Sequence, residues 1–166
     1  MHIDDDHLFR GAALTQIAEH PNFTAINVFK KKKRIYNNAY KINEDIGIYI
    51  KYSKKPTKNF KEYVFTFLFK HLENLKKLDS MITKLFVVFV CVKDREICVI
   101  SYSEILKLIE ERKRRVEHGE ETYTILVTIS KNSRFRVYMN YPGRKKMYLS
   151  KPIIISRNQF PKILFE

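Results

Sequence analysis

Apolar positions along this chain change period several times, and each change of period marks an element. Residues 8–19, LFRGAALTQIAE, place Leu8, Ala12, Leu14, Ile17 and Ala18 at mixed spacings of three and four before Pro21, which predicts a short amphipathic helix that stops there. In DIGIYIKYS the period falls to two, with Ile46, Ile48, Ile50 and Tyr52 on one face of a strand and Tyr49 and Lys51 on the other. KEYVFTFLF repeats that alternation through Tyr63, Phe65, Phe67 and Phe69, which the period assigns to the core. The intervening KKPTKN carries the Pro and Asn of a turn, so the two stretches read as a β-hairpin with a basic loop.

HLENLKKLDSMI returns to helical spacing with Leu72, Leu75, Leu78 and Met81. Residues 85–92, LFVVFVCV, are apolar throughout, as in a strand covered on both faces, and KDR turns the chain into EICVIS. Ser101 and Glu104 have capping-box spacing ahead of Ile105, Leu106, Leu108 and Ile109, with Gly119 as the expected stop. TYTILVTIS, FRVYMNY and MYLSKPIII complete the chain as strands separated by turns at KNS and PGRKK. The order is helix, two or three strands, helix, two strands, helix, three strands. It predicts one α+β domain over residues 8–166, with a mainly antiparallel or mixed sheet and about three helices, preceded by an acidic tail over residues 1–7.

Composition adds limits. With 45% hydrophobic and 13% aromatic residues and only four glycines and five prolines, the chain can bury a core without staples. Cys91 and Cys98 lie in apolar runs, as buried reduced thiols of an intracellular protein do. No run reaches the ~18 consecutive apolar residues of a membrane helix. The start, MHIDDDHLFR, is acidic where a secretory signal would be basic and then apolar, so a cytoplasmic location without a membrane partner is expected.

Charge changes the picture most. The chain carries 32 Lys and Arg against 18 Asp and Glu, a net +14. Residues 30–70 hold twelve of those cations against Glu44, Asp45 and Glu62, and residues 131–162 hold nine against no acid, while the remainder is net negative. A charge so divided points to a polyanion. The run Lys30–Arg34 also fits a nuclear import pattern, which Lys-rich chains produce by chance.

Catalytic motifs are mostly missing. There is no GxxxxGK[ST], GxGxxG, GxSxG, HExxH or CxxC, which points away from several enzyme classes. His2, Asp4, Asp5, Asp6 and His7 are metal-ligand types without regular spacing, so no metal site is expected of them. His20, His71 and His118 have no suggestive nucleophile nearby and read as solvated or capping side chains. A metal-dependent nuclease with a degenerate restriction-endonuclease-like core is the one enzymatic alternative: Glu19 from the helix, Asp45 or Glu62 from strands, and Lys51 to orient water, with Mg²⁺ or Mn²⁺. The acid-x-Lys triplet of such a site fails, since Tyr49 stands where the acid preceding Lys51 belongs and Glu62 is followed two positions on by Val64.

The positive signal is cations interleaved with aromatics. Lys31, Lys32, Lys33, Arg34, Lys54, Lys55 and Lys58 would form one side of a phosphate-contacting face, and Arg134, Arg136, Arg144, Lys145 and Lys146 the other. Tyr49, Tyr141 and Tyr148 are the rings expected to be exposed for stacking. The reading is a non-catalytic nucleic-acid-binding domain without cofactor, for DNA or RNA. A module for an acidic protein partner, or a homodimer, remains the alternative of a different class.

Overall fold

The alternating stretches build two sheets. In the computed structural model, which describes residues 1–166, helix α1 (Asp5–Ala18) leads into β1 (Ile26–Lys31), β2 (Arg34–Ile42), β3 (Ile46–Ser53) and β4 (Glu62–Leu68). Helix α2 (Phe69–Asp79) is followed by β5 (Lys84–Cys91) and β6 (Glu96–Ser101), and α3 (Tyr102–Arg115) by β7 (Thr122–Ile129), β8 (Phe135–Tyr138) and β9 (Ile153–Ile155). A 3₁₀ turn at Lys162–Phe165 ends the chain. The first sheet has the order β1-β2-β3-β5-β6 and the second β4-β7-β8-β9, so the protein is a single α+β domain.

The first sheet is antiparallel except at its centre, where β3 and β5 run parallel in register from Ile46↔Lys84 to Ser53↔Cys91. Strands in that position are covered on both faces, and each face has its own core. Ile46, Ile48, Ile50, Val88 and Val90 pack beneath Ala13 and Ile17 of α1, with Phe160 and Leu164 of the C-terminal segment closing that side. On the other face Tyr49, Val87 and Phe89 join Leu75 and Leu78 of α2, Ile105 and Leu108 of α3, and Phe65, Phe67, Ile125 and Val127 of the second sheet. The ring centroids of Phe65 and Phe89 lie 4.3 Å apart across that interior. Gly47 suits that close packing, because a Cβ would stand 3.1 Å from Leu85 Cδ1 and 3.2 Å from Ile82 Cγ2, so that these side chains would have to shift.

Four expectations are corrected. The β3–β4 hairpin does not form: β3 already has β2 on one edge and β5 on the other, so β4 has no free edge to pair with and joins β7 instead. Phe69 is 61% exposed, because the chain enters α2 at that residue and the period-two alternation ends. The acidic start is partly helical, not a tail; Asp4 caps α1 by accepting from the His7 N–H at 2.9 Å, and Asp5 and Asp6 occupy the favourable first turn. Only Ile153–Ile155 of the final stretch joins the sheet, immediately after Pro152, which has no N–H to offer a ladder.

The capping of α3 follows the expected spacing. The Ser101 side chain accepts from the Glu104 N–H at 3.3 Å, and Ser101 Oγ reaches Glu104 Oε2 at 3.1 Å. The helix ends at Arg115, ahead of Gly119, where Val116 takes an extended conformation. No helix is long and apolar enough to cross a membrane. Ser101→Ala should destabilise the domain by about 1 kcal/mol, a fall in Tm of about 2–4 °C for a chain of this size, measured by thermal unfolding; an unchanged Tm would contradict the cap's role.

Candidate nucleic-acid interface

The cations fall into three groups set by the ends of strands. The first is the tip of the β1–β2 hairpin, where Lys31 pairs with Arg34 across a two-residue turn and Lys32 takes φ 55°. Lys31, Lys32 and Lys33 are exposed and make no ion pair. Arg34 leans over the Tyr36 ring at 5.2 Å and donates to Asn74 Oδ1 of α2 at 3.1 Å. It thereby forms one wall of a cavity of about 570 Å³ between β2 and α2, lined also by Arg10, Asn38, Tyr49, Lys70 and His71.

That cavity is cationic by construction. Its one acid, Asp6, is 2.7 Å from Arg10, and Arg10 also donates to Asn38 Oδ1 at 2.7 Å. His71 Nδ1 accepts the Leu68 N–H at 3.2 Å, as a capping histidine does, so the neutral ring carries its proton on Nε2. Burial, then the positive charges of Lys51 and Lys70, hold the His71 pKa below its ordinary value. Lys51 lies next to this cavity with its ammonium 4.8 Å from the Phe67 centroid and 6.0 Å from that of Tyr49, and burial lowers its pKa to about 8. Tyr49 was expected at the surface and is 2% exposed, because α2 and the second sheet cover the face of β3 that an isolated hairpin would leave open. Burial pushes its phenol pKa up, partly opposed by Asn38.

The second group lies over the outer face of the second sheet. Residues 57–60 follow β3 and residues 140–146 follow β8, and the two loops flank a cavity of about 750 Å³. Lys58 from one basic segment and Arg144 and Lys145 from the other line it together, and Lys146 Nζ stands 4.8 Å above the Phe60 ring, joining the loops. The turn is held by the Tyr141 N–H to the Met147 carbonyl at 2.6 Å, and by Gly143 at φ 70°, a conformation that suits glycine. At one end Arg112 donates twice to Glu120 at 2.7 and 3.0 Å and once to the Asn140 carbonyl at 2.8 Å. Tyr141 is half-buried along this wall, whereas Tyr148 is 47% exposed and packs edge-on against Tyr138 at 4.6 Å.

The third group is separate. Arg134 and Arg136 line a cavity of about 730 Å³ with Arg157, which is paired to Glu96 of edge strand β6. It lies at the opposite edge of the first sheet from the β1–β2 hairpin. Lys54 is also engaged elsewhere, in an ion pair with Asp5 of α1, and Lys55 beside it is exposed. The two basic segments therefore meet through Lys58 and the 144–146 turn and diverge at their other ends.

Compared with protein-family models, curated proteins and solved structures, the chain matches none.

The residues of the nuclease alternative do not converge. Asp45 sits in the β2–β3 turn, six positions before Lys51 on one strand, or about 20 Å at the usual rise. Glu19 caps the C-terminal end of α1. Glu62 is buried in the second sheet, where it accepts from the Tyr138 hydroxyl. No three His, Cys, Asp or Glu side chains come together as a metal-ligand group. Sequence reasoning missed Arg10, Asn38, Phe60, Arg112 and Asn140; no local spacing marks them, because each acts through a neighbour distant in sequence.

The lowered pKa of Lys51 has a testable sign. Its folded value of about 8 lies below the ordinary 10.5, so between those limits the unfolded chain binds more protons and stability rises with pH. Lys51→Met should raise stability near pH 7 and flatten its rise from pH 8 to 9.5, read from urea unfolding at several pH values. Parallel profiles for the two proteins would show that Lys51 is not desolvated.

Proposed function

We propose that this chain is a nucleic-acid-binding domain that holds the phosphate backbone and does not cleave it. The observation that carries the reading is the meeting of Lys58 with Arg144, Lys145 and Lys146 around one cavity mouth, with none of the four in an ion pair. Cations gathered at one rim and not paired to acids repel one another, and a polyanion relieves that repulsion while releasing its own condensed counterions. The hairpin Lys31–Arg34 and the Arg10–His71 cavity between β2 and α2 add further cations elsewhere on the surface. Contacts of this kind position a protein on DNA or RNA without reading bases.

Salt dependence tests it. Duplex affinity should fall linearly in a plot of log K against log salt, with a slope of roughly −0.9 per phosphate contact. The triple variant Lys58→Ala, Arg144→Ala, Lys145→Ala should make that slope shallower by up to about 2.7 and weaken binding to unrelated sequences alike. Replacing Lys31, Lys32 and Lys33 together should act in the same direction. If both variants keep wild-type affinity and slope while folded, the cations are a solvated surface and the proposal fails.

Cleavage gives the second test. Because Glu19, Asp45, Glu62 and Lys51 do not converge, plasmid and single-stranded substrates should remain intact with Mg²⁺ or Mn²⁺. Reproducible cutting that disappears in Asp45→Ala or Glu19→Ala, both exposed positions, would replace binding with hydrolysis as the function.

A further inference from the structure

The cavity between the 57–60 and 140–146 loops is graded in polarity. Its rim is cationic, through Lys58, Arg144 and Lys145, while its floor is the outer face of β4 and β7. That floor presents apolar Val64 and Leu126, the hydroxyl of Thr124, and acceptors that lack a full set of donors. Asn140, half-buried on the cavity wall, has its Oδ1 buried without a hydrogen-bond partner, an unfavourable state that a donor would relieve. The Glu62 carboxylate, 4% exposed, receives the Tyr138 hydroxyl and also lines the cavity. At about 750 Å³ the space is in the range of small-molecule sites, ~300–1,000 Å³.

These features select among ligands. A phosphate or an acidic side chain on the floor would face Glu62, so anions are kept to the rim. A flat, neutral group with N–H donors on one edge suits the floor, with its faces against Val64, Leu126 and the ring of Tyr141. We infer that the cavity receives one unpaired nucleobase, whose backbone phosphates lie against Lys58, Arg144 and Lys145. This rests on the proposed nucleic-acid binding and deepens it: the substrate class becomes single-stranded or locally unpaired nucleic acid. Guanine fits best, because its N1–H and N2–H₂ donors are adjacent and match the two oxygens of a carboxylate such as that of Glu62, which lines the floor. Thymine and uracil present mainly carbonyls to the same acceptors.

Fluorescence anisotropy on three labelled probes tests it: a perfect duplex, the same duplex with one unpaired guanine, and the same duplex with one unpaired thymine. Wild-type protein should bind the guanine probe at least about five-fold tighter than the perfect duplex, the lower end of what one stacked base contributes, with thymine between them. Thr124→Trp, which fills the floor, and Asn140→Leu, which removes the acceptor, should abolish that preference while perfect-duplex affinity persists. The two act independently, so misfolding of one leaves the other to decide. Equal wild-type affinity for all three probes would overturn the base pocket and leave phosphate binding standing, as would a guanine preference that survives both variants. Retention of poly-glutamate with no retention of any duplex would overturn both readings and assign the cations to an acidic protein partner.

Discussion

Strand β3 is hydrogen-bonded on both edges and covered on both faces, and the positions of the other elements follow from that. Its even-numbered isoleucines need α1 and the C-terminal segment above them, and its odd face needs α2, α3 and the second sheet below. With β2 and β5 occupying its edges, the chain that leaves β3 has to cross to another layer. That crossing is the 54–61 loop, and it delivers Lys58 and Phe60 to the rim of the second sheet, opposite the 140–146 turn. The cationic cavity is thus a consequence of how a saturated central strand exports its chain.

Several polar groups are nonetheless held away from water. Lys51 projects from the inner face of β3 onto the Phe67 ring, where a cation on an aromatic face recovers part of its lost hydration. Glu62 and Tyr138 satisfy each other between β4 and β8, and Tyr63 reaches Asp94 in the β5–β6 turn. Each is a polar link between separate strands or turns of the fold. Asn140 Oδ1 is the exception, the one buried side-chain polar atom without a partner, and it lies in the cavity with the cationic rim.

Much of the fold was legible in the residues. The all-apolar run 85–92 announced a doubly covered strand, the Ser101 and Glu104 pair announced α3, and the leucine spacing announced α2. The pairing of strands was not legible, since alternation in β3 and β4 is equally compatible with a hairpin and with membership of separate sheets. Tyr49 shows the cost: the period places it opposite the isoleucines, but only the tertiary fold decides whether that side meets water. The uneven charge was plain in the sequence, and its partial reunion was not. Lys58 and Arg144 are far apart in sequence, and Arg134 and Arg136 belong to the same basic segment as Arg144 yet turn toward β6.

In the proposed mode of binding, an anionic chain lies across the outer face of the second sheet, along the loops that β3 and β8 send there. Amide chemical-shift mapping tests it most directly, by titrating isotope-labelled protein with a short oligonucleotide carrying unpaired bases. Shifts should concentrate at residues 57–60, 122–126 and 140–146, with the α1 and C-terminal face unmoved. Shifts confined to α1 and residues 160–166, or none at all under conditions where the nucleic acid is in excess, would contradict it.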